Sequence, residues 1–238
     1  MQFYIHHLSY LIAESSIVEQ GSSQRFAKEQ LPVLDWVPAM QRRRLSAFTK
    51  IALHCAHQAL DGREEIPVVF STRHGDIHKT AGLLDTVAAK ESLSPTAFSM
   101  SVHNASAGLL SILTNNVAAS NTVSAGKDTF LAGVIDAYAR LKSSEIQEIL
   151  VIHCDQALPE EYQVFSDEKQ IDHAVAFILS KQAEHGRACT FDLIPSHETL
   201  PDKDIPQAIA FIDAMNNNSL AEHHIVGARN TGQIKLAL

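Results

Sequence analysis

The protein has 238 residues, and 45% of them are hydrophobic, enough to build a sizeable core in one large domain or two small ones. A formal net charge of -8 and a pI near 5.9 argue against nucleic acid as a partner, because such a surface clusters Lys and Arg against phosphates. The apolar runs are far shorter than a membrane span and the N-terminus lacks a secretion-signal pattern, so we expect a cytoplasmic protein with no membrane span.

The first half of the chain alternates helices with a buried strand. Apolar residues at helical spacing run from Leu45 to Ala59 and stop at Asp61-Gly62, which is a good C-terminal signal. The continuous apolar run from Ile66 to Ser71 predicts a strand covered on both faces. Helices are predicted over 77–89 and 105–113, and Pro95 with its neighbouring serines predicts a loop between them.

The second half is richer in strands. Strands are predicted over 148–154, 173–180 and 187–194, followed by a long loop or linker over 195–206. A helix is predicted over 207–215, and the weakly patterned C-terminus predicts one last strand and a tail. The alternation of strands and helices indicates an α/β layered fold.

The segment NTVSAGKDTF, residues 121–130, has the pattern of a strand, a tight turn and a helix N-terminus. This arrangement can present a nucleophile, because small residues allow the turn and the helix N-terminus stabilises an anion. No cysteine stands in the turn, which reads Ser124, Ala125, Gly126 and Lys127. The segment is not a phosphate-binding P-loop, because that motif needs a glycine in the place of Asn121 and a hydroxyl residue in the place of Asp128.

Cysteines and histidines give weaker signals. Cys55, Cys154 and Cys189 are an odd number without metal-site spacing, and buried structural thiols are the favoured interpretation. The RHGDIH segment, 73–78, offers three possible metal ligands, and His54 with His57 offers a pair on one helix side. A polar loop and ordinary surface histidines are the favoured interpretations, so no metal or other cofactor is expected.

Four segments in order resemble β-ketoacyl synthases, the condensing enzymes of fatty acid and polyketide synthesis. They are MQRRRLSAFTKIALHCAHQALDG, VVFSTRHGDIHKTAGLLDTV, LSPTAFSMSVHNASAGLLSI and VSAGKDTFLAGVIDAYARL. STRHGD, SPTAFSMSVHNA and SAGKDTF together resemble the chain length factors of bacterial aryl polyene gene clusters. The resemblance implies a thiolase-like layered α/β fold: an N-terminal half of a synthase over 1–195 and a truncated C-terminal remnant of loop, helix and tail over 196–238.

The sequence departs from the catalytic members of that family in two ways. The nucleophilic cysteine is absent, since alignment through Gly133 places Ala125 there, an ungapped count places Lys127 there, and no register from 125 to 128 supplies a thiol. The family's later histidine segments are also absent. Ser124 and Lys127 remain as possible surrogate nucleophiles, although a hydroxyl needs a nearby base and a lysine needs desolvation.

The resemblance therefore implies a non-catalytic chain length factor that pairs with a full-length ketosynthase and shapes the tunnel for a chain carried by acyl carrier protein. Arg42, Arg43 and Arg44 could meet that acidic carrier, or could be a solvated helix start. The alternatives are a truncated synthase acting as a malonyl decarboxylase or acyltransferase, and an unrelated α/β domain that binds a nucleotide. The candidate tunnel or interface residues are Phe98, Met100, His103, Asn104, Phe130, Leu131 and Val134.

Overall fold

A mixed β-sheet runs through the centre of the structure, a computed structural model that describes residues 1–13, 25–26, 30–182, 186–195, 204–217 and 222–236. The strands follow the order β4-β3-β5-β6-β1-β7-β9-β8, and the two-residue β2 pairs with β1. In chain order they are β1 (Gln2–Ala13), β2 (Arg25–Phe26), β3 (Val68–Ser71), β4 (Ser120–Val123), β5 (Glu148–Asp155), β6 (His173–Ser180), β7 (Arg187–Pro195), β8 (His223–Ile225) and β9 (Asn230–Leu236).

Apart from the short β2, parallel pairing is confined to one end of the sheet. There β3 lies between β4 and β5 and is parallel to both. The remaining neighbours are antiparallel, from β5–β6 through to β8–β9. Because parallel strands need crossover connections, helices link β3 to β4 and β4 to β5. The carboxyl ends of β3, β4 and β5 consequently meet at one edge of the sheet.

Helices cover both faces of the sheet and divide the core into two parts. Residues of α2 and α5 pack in the core on one face, and residues of α6 and α7 pack in the core on the other. The helices are α1 (Ala39–Arg42), α2 (Ala47–Leu60), α3 (Ile77–Ala88), α4 (Pro95–Ser99), α5 (Ala105–Thr114), α6 (Thr129–Ser143) and α7 (Gln207–Asn216).

The ends of α2 follow from local sequence. The hydroxyl of Ser46 accepts a hydrogen bond from the backbone N–H of Thr49 at 3.1 Å and caps the helix start. The helix ends at Asp61, which adopts the left-handed conformation, and Gly62 follows with a φ of +80°. Between these ends the apolar stripe that includes Phe48 and Cys55 is buried against the sheet.

The predicted α/β layered fold is confirmed, with three local corrections. The strand predicted from Ile66 begins at Val68. The loop predicted at Pro95 is a short helix, α4, because Ser94 caps it and the proline occupies its first turn. The predicted final strand and tail form two strands, β8 and β9, which pair as a hairpin that extends the sheet from β7.

The sequence analysis gave no element for the N-terminus, where the structure has β1. This strand occupies the interior of the sheet, between β6 and β7. Its apolar run is interrupted by His6, His7 and Ser9. Of these, His6 and Ser9 are nevertheless buried. A register shift lies between His6 and Ser9, and His7 has a φ of +49°. This irregularity removes the alternation by which the strand would be recognised.

The C-terminal elements share the core of the earlier ones. Phe211 of α7 packs with its ring 5.0 Å from that of Phe130 and 5.0 Å from that of Phe177. Ile234 of β9 belongs to the same apolar cluster. Most of the predicted linker, 196–203, lies outside the described residues, and the division into 1–195 and 196–238 stays a prediction. No described helix has the length and apolar character needed to cross a membrane.

Candidate functional site

Three of the sequence segments that carried the family resemblance meet at the carboxyl edge of the parallel strands. The loop after β3 contains Gly75, where an added Cβ would lie 3.4 Å from a ring nitrogen of His103, in the segment before α5. The hydroxyl of Ser124, after β4, donates a hydrogen bond to the carbonyl oxygen of Arg73 at 3.0 Å. In open α/β sheets this edge is where ligand sites form, so it is the candidate site.

The turn at 124–128 is a tight connection from strand to helix, as predicted. Gly126 has a φ of +61°, a conformation that favours glycine, and residues Gly126–Asp128 form one 3-10 turn before α6. The hydroxyl of Thr129 accepts a hydrogen bond from the N–H of Ala125 at 2.9 Å and donates one to the carbonyl of Gly126 at 2.6 Å. Local hydrogen bonds therefore fix the turn.

Groups of the chain itself occupy the N-terminal end of α6. The side-chain carbonyl of Gln207 accepts a hydrogen bond from the N–H of Leu131 at 3.2 Å. The carboxylate of Asp128 accepts hydrogen bonds from the N–H groups of Ala228 at 2.8 Å and Arg229 at 3.2 Å. A helix N-terminus stabilises one nearby negative charge, and here Asp128 already supplies that charge. The position is therefore poorly suited to holding a thiolate or a phosphate.

Ion pairs and hydrogen bonds join the loop 156–170 to the turn and to the segment that follows β3. Arg73 makes a bidentate contact with Asp167, at 2.8 and 3.1 Å, and its guanidinium also lies 3.3 Å from Glu168. The ammonium of Lys127 donates a hydrogen bond to the carbonyl of Asp167 at 2.6 Å. The hydrogen bonds from Arg73 lower the pKa of Asp167, whereas burial raises the pKa of Glu168.

Beside the turn lies a depression of about 580 Å³ that is open to solvent. The turn residues 125–128, Leu131 and Arg229 contribute to its wall. Basic and acidic side chains share this wall, since Arg73, Lys127 and Arg229 stand beside Asp128 and Asp167. The depression therefore presents no strongly positive site for a phosphate.

Sequence comparison then places the chain in a family. The profile of the family "Beta-ketoacyl synthase, N-terminal domain" matches residues 19–230. The chain belongs to this family. No curated protein matches the sequence.

Two solved structures show how far the similarity to other family members extends. The chain resembles a chain in the complex of a ketosynthase (ApeO) with its chain length factor (ApeC) from Xenorhabdus doucetiae, at 25% identity and a TM-score of 0.82, covering 99% of both chains. It also matches a β-ketoacyl synthase from Burkholderia phymatum STM815 at 12% identity and a TM-score of 0.56, covering 79% of this chain and 57% of that one. The fold is therefore the thiolase-like fold of the β-ketoacyl synthases.

The candidate tunnel residues fall into two groups in this β-ketoacyl synthase fold. Phe130, Leu131 and Val134 are buried inside the chain's own core, where Phe130 packs against the ring of Phe211. The other candidates lie at the surface: Phe98 is 58% exposed, Met100 is half-buried, and His103 and Asn104 are exposed. Asn104 occupies the cap position of α5, but neither it nor Ser101 caps the helix through its side chain.

A buried polar network behind the site was missed by the sequence analysis. The hydroxyl of Ser71 lies 2.9 Å from Nδ1 of His153, and Nε2 of His153 lies 3.2 Å from Asp155. Asp155 also accepts hydrogen bonds from the Thr72 hydroxyl at 3.0 Å and the Arg73 N–H at 2.8 Å. One feature of the sequence points to this network: the apolar runs of β3 and β5 both end in polar residues.

This Ser–His–Asp arrangement supports the loop rather than presenting a nucleophile. Ser71 is fully buried, and an added Cβ at Gly133 would lie 2.9 Å from its hydroxyl oxygen. Burial opposes ionisation of Asp155, but the hydrogen bond and charge of His153 outweigh it and lower the pKa of that carboxyl. Burial also lowers the pKa of the neighbouring His173 to about 4. The Ser71 side chain is not exposed to solvent, so a substrate cannot reach its hydroxyl in this structure.

The three cysteines are free and buried, as predicted. Burial raises the pKa of Cys55 and of Cys189 to about 12, and raises that of Cys154 well above its ordinary value. The Cys55 and Cys154 thiols contact the backbone carbonyls of Ala174 and Phe48 at 3.7 Å. Thiols so buried are poor nucleophiles, because the thiolate is the reactive form.

The possible metal ligands have other partners. The ring of His57 stacks on Trp36 at 4.1 Å, and Nε2 of His78 donates a hydrogen bond to the carbonyl of Ala157 at 2.9 Å. Within the described parts of the chain, no group of three or more His, Cys, Asp or Glu side chains could hold a metal ion. Of the three successive arginines, Arg42 pairs with Asp35 at 2.9 Å, whereas Arg43 and Arg44 are exposed.

Proposed function

We propose that the chain is a non-catalytic chain length factor that forms a heterodimer with a full-length ketosynthase. The observation that carries this proposal is the turn before α6, which keeps the tight geometry of a nucleophile turn but has the sequence Ser-Ala-Gly-Lys at 124–127. The similarity over 99% of both chains to a member of a ketosynthase and chain length factor complex supports it.

The chemistry of the turn also supports a non-catalytic role. Condensation of carrier-bound acyl groups in this family uses a thiolate, which is both a strong nucleophile and a good leaving group. The Ser124 hydroxyl donates to a backbone carbonyl instead of a base, and the Lys127 ammonium donates to another carbonyl. A backbone carbonyl cannot remove the proton of the Ser124 hydroxyl, so this hydrogen bond does not make the hydroxyl a nucleophile.

The surface around β4 has the properties of a partner interface. β4 forms one end of the sheet in the described structure, so one of its edges carries unpaired backbone groups. Buried side-chain oxygens of Asn121 and Thr122 on this strand have no hydrogen-bond partner. Close in sequence, Ile112 of α5 is 70% exposed and Val117 is 82% exposed. An apolar surface with an open strand edge favours burial against another protein.

The helices α3 and α4 extend this apolar surface. Neither helix has a fully buried residue. Leu84, Val87 and Phe98 are more than half exposed. We place the wall of the acyl tunnel here, with Phe98, Met100, His103 and Asn104 facing a polyene chain that is carried by acyl carrier protein. Phe130, Leu131 and Val134 then contribute by packing beneath the turn.

Co-expression with full-length ketosynthases that keep the nucleophilic cysteine, followed by size-exclusion chromatography, tests the proposal. We expect a stable heterodimer that Ile112→Asp weakens, because the substitution places a charge in the buried interface. Val33→Asp is the matched control, since Val33 is 72% exposed but lies in the segment before α1. A chain that stays monomeric with every such ketosynthase would refute the proposal.

The enzymatic alternative is tested on the chain alone. We expect no covalent adduct by mass spectrometry, and no carbon dioxide, after incubation with malonyl or acyl carrier protein. An adduct that disappears in Ser124→Ala or Lys127→Ala would replace the proposed role with catalysis by that side chain.

A further inference from the structure

A second cavity lies apart from the turn and has a different chemical character. It has a volume of about 230 Å³ and lies between the starts of α2 and α3 and the segments that follow β5 and precede β6. Leu31, Ala47 and Ile51 form an apolar part of its wall. The oxygen-bearing side chains of Asp76, Gln156 and Asp172 also line it. The cavity is thus apolar on one side and rich in hydrogen-bond acceptors on the other.

Two of these acceptors are buried without a hydrogen bond. The side chain of Asp76 is 5% exposed, and its Oδ1 caps α3 by accepting the N–H of Lys79 at 3.2 Å. Its Oδ2 accepts no hydrogen bond, and the ammonium of Lys79 lies 3.7 Å away, too far for one. Lys79 therefore pairs with Oδ2 by charge alone. The side-chain oxygen of Gln156 is likewise buried without a hydrogen bond. Buried polar atoms nearly always have hydrogen bonds, so two buried oxygens without one in the same cavity point to a donor-bearing ligand.

A second buried carboxylate adds negative charge. Asp172 is 6% exposed, and its Oδ1 accepts the N–H of Ala157 at 2.8 Å. Two donor-bearing side chains of the wall already have partners: Nε2 of His78 donates to the carbonyl of Ala157, and the hydroxyl of Ser46 donates to that of Thr49. The cavity therefore offers acceptors and charge to a ligand, and few donors.

We propose that this cavity binds a small organic cation, a primary alkylammonium group with a short apolar chain. The ammonium provides three donors for Asp76, Gln156 and Asp172, and the chain lies against Leu31, Ala47 and Ile51. A bare metal ion fits less well, because no group of three His, Cys, Asp or Glu in the described residues has a metal-binding arrangement. This site is independent of the ketosynthase interface proposed above.

The probe is n-butylammonium, measured by isothermal titration calorimetry on the full chain, with n-butanol and butyrate as uncharged and anionic controls of the same chain length. We expect binding of n-butylammonium alone. Asp76→Asn should weaken it about tenfold or more, as expected for the loss of one charge-assisted hydrogen bond. The fold is retained, because asparagine caps a helix as well as aspartate does.

Asp172→Asn tests the second carboxylate, and Asp85→Asn is the control, since Asp85 is an exposed carboxylate of α3. We expect the first substitution to weaken binding and the second to leave it unchanged. Equal binding of n-butanol, unchanged binding in both Asp76→Asn and Asp172→Asn, or binding of Mg²⁺ in place of n-butylammonium would overturn the proposal.

Discussion

A single residue, Gly133, allows the helix that follows the candidate site to pack closely against the sheet. It lies on the face of α6 that contacts β3, and an added Cβ would come within 2.8 Å of the Cβ of Ser71. That separation is shorter than real side chains show, and the neighbouring atom belongs to a fully buried strand. The glycine therefore allows α6 to approach β3, and with it sets the position of the turn at 124–128.

Gly133→Ala is expected to lower the free energy of unfolding by about 1 to 3 kcal/mol, the usual cost of overpacking a core. Gly82→Ala is the matched control, because Gly82 lies on α3 with no atom within 4 Å of an added Cβ. The control should be neutral or slightly stabilising, since alanine favours helix. Chemical denaturation compares the two, and equal stabilities would show that the close approach of α6 has no energetic weight.

His173 makes the stability of the protein sensitive to acid. Its folded pKa is about 4, against 6.5 in the unfolded chain, so the unfolded chain binds more protons between these values. Stability should therefore fall as the pH drops from about 6.5 to about 4, by about 3 kcal/mol for this group. The lowered pKa of Asp155 acts in the same direction, because protonation of that carboxyl also favours unfolding.

His173→Asn separates these contributions. Nδ1 of His173 donates to the carbonyl of Ile171 at 2.7 Å, and an asparagine amide can replace that donor. Urea unfolding from pH 7 to pH 4 should show a smaller loss of stability in the variant than in the parent. A parallel pH dependence in both proteins would assign the acid sensitivity to other groups.

At the scale of elements, β4 pairs with β3 along one edge, and its other edge has no partner among the described strands. The carbonyls of Ala119 and Val123 accept hydrogen bonds at 3.0 and 3.1 Å from backbone N–H groups of β3 and of the residue that follows it. Since backbone groups alternate along a strand, Asn121 also faces β3, whereas Ser120 and Thr122 direct their N–H groups outward. A partner strand would therefore bond to Ser120 and Thr122.

Thr122→Pro is expected to abolish the heterodimer but leave the isolated chain folded, because proline removes an outward N–H and is tolerated on edge strands. Asn121→Pro removes a group that faces β3 and should instead destabilise the isolated chain. Pull-down with the ketosynthase and circular dichroism measure the two effects. Full heterodimer formation by Thr122→Pro would show that the open edge of β4 does not pair with the partner.

The elements differ in how far the sequence predicted them. Strand β6 and helices α3 and α5 were predicted within one residue of their observed bounds, because β6 is a continuous apolar run and turn or loop residues precede both helices. Strand β1 was missed because His6 and Ser9 are buried polar residues that break its apolar pattern. The turn at 124–128 was predicted from its small residues. Its contacts with Gln207 and Ala228 could not be, since they join residues distant in the chain.

At the scale of the whole molecule, β4 forms one end of the sheet, close in sequence to the exposed Ile112 and Val117, and the hairpin of β8 and β9 forms the other end. Hydrogen–deuterium exchange with and without the ketosynthase should show which end of the sheet the partner covers. We expect the partner to slow exchange over 84–123, from the middle of α3 to the end of β4, and to leave β8 and β9 unchanged. Protection confined to β8 and β9 would place the interface at the opposite end of the sheet.

The position of β1 inside the sheet has a consequence for synthesis of the protein. β1 leaves the ribosome before the other described strands, but its neighbours are β6 and β7, with His173 opposite Ile12 and Ala188 opposite Tyr4. The nascent chain must therefore carry this largely apolar strand without its two long neighbours until β6 and β7 have been synthesised. Such a segment is a ready target for chaperones, and one that aggregates when they are scarce.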